Sequence, residues 1–111
     1  MSPSDYDPYL QDLHYRSVGR LLAADVFDAT AFDDLISYLQ NKAELIKHEH
    51  IVSKQVLNCL LSASQAIESR AEYLPELRSQ TKISAEFSMI LGLIAIGEAP
   101  SDRRPGAPRI L

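Results

Sequence analysis

The chain has 111 residues, 46% of them apolar, with a formal net charge of -4, which suits a single domain with a small hydrophobic core. Its acidic balance argues against non-specific nucleic-acid binding, which depends on counterions released by clustered Lys and Arg. The lone Cys59 cannot form an internal disulfide and the start MSPSDYDPYL lacks a basic and an apolar leader region, so a reducing, cytoplasmic setting is expected.

Residues 1–7 read as a polar N-terminal arm. Asp7 can N-cap a first helix with Pro8 in its first turn. Leu10, Leu13, Leu21 and Ala24, widened by Tyr15, Val18 and Leu22, give that helix an apolar side over 8–24, with Asp12 and Arg16 spaced to pair opposite. From Asp28 to Leu74 there is neither glycine nor proline. Asp28 or Thr30 can cap a second helix over 29–47, with Asp33 and Asp34 near its positive end and a stripe of Phe32, Leu35, Ile36, Leu39, Ala43 and Ile46. An unbroken helix from 29 to 73 would run on the order of 65 Å at 1.5 Å per residue, too long for so small a domain. The polar patch Lys47-His-Glu-His50 is the expected break. Ser53 can cap a third helix over 53–73, with Val52 stapled onto Leu57, whose stripe is Val56, Leu57, Leu60, Leu61, Ser64, Ile67 and Ala71.

A fourth helix is expected near 77–97, starting at or just after Pro75 and closed by Gly97 with Pro100 beyond. Its main stripe is Ile83, Phe87, Ile90, Leu91 and Ile94, and Met89, Leu93 and Ile96 form a second stripe on roughly the opposite side. A strand over Met89 to Ile96 is the rival reading of this short apolar run, which is far below the roughly 20 residues of a membrane span. The expected architecture is an all-α bundle of four main helices over 8–97, with Leu35, Leu39, Leu60, Ile67, Phe87 and Ile90 at its centre and a proline-rich tail from 98 to 111.

Chemistry-bearing side chains are few. Glu44 and His48 share a helical face, whereas His48 and His50 would point about 200° apart, so the trio falls short of a zinc set. His14 reads as a half-buried structural histidine. Cys59 has apolar flanks and no adjacent base, so it reads as core. Asp25, Asp28, Asp33 and Asp34 lack the glycine and closing Glu of a calcium loop and read as helix caps and dipole partners. Arg103, Arg104 and Arg109 read as a solvated tail. A helix-turn-helix at 48–53 is disfavoured because Gln55, Asn58, Ser62 and Gln65, expected to face outward on the third helix, carry no positive charge. No enzyme activity, cofactor or metal is expected.

The stripe of Met89, Leu93 and Ile96 is either core or an exposed patch of the kind that marks a partner surface, and Tyr38 with Leu45 on the flank of helix two is a weaker second patch. These five residues are the candidate protein interface. Residues 1–40 hold seven Asp against two Arg, a half of the chain that would steer a basic partner.

The acidic, helical character of Tyr9 to Gly97, with the stretch AEYLPELRSQTKISAEFSMILGLIAIGEAPSDRRPGAPRIL, resembles the bacterial antiactivators that bind quorum-sensing transcription factors. The resemblance implies a homodimer that engages the ligand-binding domain of a LuxR-type regulator, disrupts its dimerisation and keeps it off DNA. A competing reading from charge is an immunity protein or antitoxin that covers a toxin's basic site.

Overall fold

The computed structural model describes residues 6–49 and 52–102, and among these there are helices and no strand. Helix α1 covers residues 8–24 as α-helical Pro8–His14, a π-helical turn Tyr15–Gly19 and α-helical Arg20–Ala24. Helix α2 spans Ala29–Ile46, α3 Lys54–Ala71, α4 is one turn at Pro75–Arg78, and α5 spans Thr81–Ala95, followed by a 3-10 turn at Pro100–Asp102. Met89 to Ala95 is therefore helical and the strand reading is excluded.

Local chemistry sets the helix ends. Asp7 is extended, and its Oδ1 accepts from the amides of Tyr9 and Leu10 at 3.1 Å each, satisfying two donors that α1 cannot use internally. Asp25 ends α1 in a left-handed conformation (φ 54°), which a short polar side chain tolerates better than most. Asp28 then caps α2 through the Ala31 amide at 3.1 Å. The break between α2 and α3 falls at the polar patch. Ser53 begins α3 through its carbonyl, which accepts from the Leu57 amide at 3.2 Å, while its hydroxyl makes no capping bond.

The region expected to start one long fourth helix is divided. Pro75–Arg78 forms its own turn with Leu77 buried, and Arg78 folds back to donate from Nε to the Ala71 carbonyl at 3.2 Å and from Nη2 to the Glu72 carbonyl at 2.9 Å. The polar pair Ser79-Gln80 is a second break before α5. At the other end, Gly97 (φ 75°) donates to Ile94 at 3.1 Å and Glu98 donates to Leu93 at 2.8 Å, the paired bonds of a Schellman cap.

Packing centres on α3 against α5, the most extensive contact between helices. Small residues let the two approach: Ser64 Oγ lies 3.0 Å from Ser84 Oγ and 3.3 Å from Ser88 Oγ, and Ser84 donates to Glu68 Oε1 at 3.0 Å. Leu35, Leu39, Leu60, Ile67, Phe87 and Ile90 are all buried, as their stripes require, and Phe32 meets Phe87 edge-on at 6.3 Å. Leu10, Leu13, Val18 and Leu21 close the core from α1, whereas Tyr15 and Leu22 are exposed because they lie on the shoulder of that stripe. Ala24, at the helix end, is exposed as well.

The chain stays packed past Gly97. Ala99 is fully buried, Ser101 donates from its amide and hydroxyl to Glu44 at 2.9 and 2.7 Å, and Lys47 pairs with Asp102 at 3.2 Å. The packed domain thus reaches Asp102 instead of stopping at 97, because this turn supplies hydrogen-bond partners to the end of α2. Arg103, Arg104 and Arg109 lie outside the described residues.

Truncating Phe87→Ala should cost about 3–5 kcal/mol, and Gly97→Ala about 1–2 kcal/mol because alanine is disfavoured at a left-handed position. Urea unfolding followed by circular dichroism measures both, and a Gly97→Ala midpoint equal to the parent's would exclude a conformational role for that glycine.

Candidate functional site

The charged side chains that enter the core gather around Asp7. Its carboxylate Oδ2 pairs with Lys42 Nζ at 2.8 Å, both side chains being nearly buried, and it also accepts from the Tyr38 hydroxyl. The Asp7 amide donates to Gln55 Oε1 and Gln55 Nε2 donates back to the Asp7 carbonyl, both at 2.8 Å. Residues from the start of α1, from α2 and from α3 thus share one network. Burial opposes the charge on Asp7, but Lys42, Tyr38 and the Leu10 amide outweigh it and hold the carboxyl below its ordinary value. Burial and the Asp7 carboxylate push the Tyr38 phenol up to about 12. The network satisfies every charge it buries, as a low-dielectric setting demands.

Outside this network a groove of about 290 Å³ runs between α1 and α2, lined by Tyr9, Leu13, Asp34, Ser37, Tyr38 and Asn41. The Tyr9 and Tyr38 rings lie 4.9 Å apart at 53°, and Tyr9 remains 56% exposed. The sequence pattern puts Tyr38 on an exposed flank with Leu45. It is instead half-buried and fastened by Asp7, so its ring forms a wall of the groove.

The other candidate interface residues are dispersed. Leu93 is 1% exposed and Met89 is half-buried, so the second stripe is not a continuous exposed patch, and Leu93→Asp would place an unpaired carboxylate in the core. Ile96 stays 47% exposed and Leu45 63%. Gly97 sits against the Lys47 carbonyl, 3.8 Å from where a Cβ would stand, so the end of α5 lies against the end of α2.

Glu44 accepts from the Ser101 amide and hydroxyl, His48 is exposed, and His50 lies outside the described residues. His14 is half-buried with its Nε2 3.0 Å from Ser62 Oγ, and burial lowers its pKa. Ser62 also donates to the Asn58 carbonyl. Gln55 and Ser62, expected to face outward, therefore serve internal contacts. Cys59 is buried beside the Asp7 network, and burial, with the Asp7 carboxylate adding, pushes its thiol up to about 11; this side chain is packed and largely protonated near neutral pH. Asp28 caps α2, while Asp25 accepts from the Tyr73 hydroxyl at 2.8 Å and lies 3.5 Å from Arg70 Nε. Asp12 and Arg16 pair at 2.9 Å.

No protein-family model, curated protein or solved structure matches the chain. No helix among the described residues is long and apolar enough to cross a membrane.

Sequence reasoning missed Lys42, although the signal was present. It falls one residue before Ala43 on the buried side of α2, and a lysine there needs a carboxylate partner. Lys42→Met should destabilise the protein by about 3 kcal/mol at neutral pH, since it strands the Asp7 charge. A carboxyl with a lowered folded pKa stabilises the fold above its unfolded value and loses that contribution as pH falls through the folded one. The stability gap between the parent and Asp7→Asn should therefore narrow below about pH 4. Urea titrations across pH check this, and a constant gap down to about pH 2.5, well below the ordinary carboxyl range, would dismiss the ion pair as its source.

Proposed function

We propose that this chain is a non-enzymatic, cytoplasmic protein-binding regulator, and that it is a homodimeric antiactivator that occupies the ligand-binding domain of a LuxR-type transcription factor, disrupts its dimerisation and so prevents DNA binding. The observation that carries the binding role is the exposed apolar surface left around a core that is already filled. Leu45 is 63% exposed, and Ile96 and Leu61 are 47% exposed each, and exposed apolar side chains favour burial against another protein. The choice of a quorum-sensing regulator as partner rests on the sequence resemblance.

The acidic surface of α2 favours a second reading, an immunity protein or antitoxin that covers a toxin's basic site. Asp33 and Asp34 are exposed and have no ion pair among the described residues. The two readings differ in salt response: apolar contacts persist in salt, whereas charge-driven association weakens.

Mixing the purified chain with the ligand-binding domain of a LuxR-type regulator should give a stable complex in size-exclusion chromatography that survives about 0.5 M salt. Leu45→Asp combined with Ile96→Asp should weaken it at least about 10-fold, equal to about 1.4 kcal/mol, with helical circular dichroism unchanged. A folded double variant that binds as well as the parent would remove this surface from the interface, and absence of any complex with such regulators would overturn the antiactivator assignment.

A further inference from the structure

The groove between α1 and α2 is walled by one fastened ring, Tyr38, and one exposed ring, Tyr9, with Asp34, Ser37 and Asn41 along its α2 side. Tyr38 cannot swing, because Asp7 holds its hydroxyl. Lys42 lies behind it, 5.7 Å from the ring centroid, with its charge met by Asp7 at 2.8 Å. The Asp12 charge is met by Arg16 at 2.9 Å. Asp34 is different: its carboxylate, like the polar side-chain atoms of Ser37 and Asn41, has no partner among the described residues. Among the described residues the groove therefore presents a negative charge without an ion-pair partner, together with two further oxygen acceptors and the edges of two packed phenol rings.

We infer that this groove receives an arginine side chain projected from the surface of a partner protein. A guanidinium is planar, so it can lie on the tyrosine rings, and its five N–H donors match a carboxylate, an amide oxygen and a hydroxyl arranged along one wall. A lysine ammonium offers the charge without the plane or the fork of donors. The charge of the N-terminal half, seven Asp against two Arg over residues 1–40, would draw such a partner to this side of the molecule. The inference rests on the reading of the chain as a protein binder and adds to it the chemistry of one contact, at a place separate from the apolar surface of Leu45 and Ile96.

The test is an NMR titration of the full, isotopically labelled chain with a capped glycine peptide carrying one arginine, run beside the same peptide carrying the neutral isostere citrulline. Saturable shifts are expected at the amides of Asp34, Ser37, Tyr38 and Asn41 with a dissociation constant of about 1 mM. Citrulline, Asp34→Asn and Tyr9→Ala should each weaken binding at least about 10-fold, and the dispersed spectra of the variants report that they remain folded. Equal binding of the two peptides, shifts confined to other surfaces, or an undiminished response in folded Asp34→Asn would overturn the inference. Its failure leaves the LuxR-type complex at Leu45 and Ile96 to be judged by chromatography, and failure of that complex leaves the peptide result standing, so the two outcomes are distinguishable.

Discussion

One residue ahead of the first helix ties three helices together. Asp7 caps α1 with one carboxylate oxygen, pairs with Lys42 and Tyr38 of α2 through the other, and exchanges hydrogen bonds between its backbone and the Gln55 side chain of α3. Hydrophobic burial is non-directional and would tolerate α1 sliding along its neighbours. A buried carboxylate tolerates no such freedom, because each displacement leaves it short of a partner, a cost that a shifted apolar packing does not offset. The network thus converts a set of apolar stripes into one defined arrangement, and the groove beside Tyr9 and Tyr38 inherits its shape from it.

The parts of the fold most legible in the sequence were those governed by local rules. Asp7, Asp28 and Gly97 are caps whose chemistry is intrinsic to their residue types, and the stripes through Leu35, Leu39, Leu60, Ile67, Phe87 and Ile90 follow from helical period alone. Tertiary contacts were not legible in the same way. Arg78 reaches back to Ala71 and Glu72, Ser101 reaches Glu44, and Lys42 finds Asp7; each depends on which elements meet in space. Leu93 belongs to this class as well. Its position on the helix allowed either core or surface, and the chain beyond Gly97, folding back with Ala99 buried, is consistent with its place inside. The groove on α1 and α2 was hidden for a related reason: Tyr38 reads as a flank residue until Asp7 pins it.

Close packing and exposed side chains fall in different parts of the molecule. Its central contact, α3 against α5, is made close by serines whose hydroxyls satisfy one another and Glu68, so small residues bring the helices together without leaving buried polar atoms unmatched. The exposed Leu45, Asp33 and Asp34 lie on α2 and the exposed Ile96 lies just past α5. Substitution at those places is separable from stability, since surface changes away from caps and buried networks alter folding by little.

The last packed turn has a topological consequence. Asp102 is held by Lys47 and Ser101 by Glu44, while Asp7 is held by Lys42, so the start of α1 and the last described turn are both moored to the C-terminal part of α2 and the residue that follows it. The segment from Asp7 to Asp102 is in effect a loop whose seam lies along α2. A circularly permuted chain, joined across that seam and opened between α2 and α3, would keep every helix and both moorings, which makes the order of the elements along the chain incidental to the architecture they build.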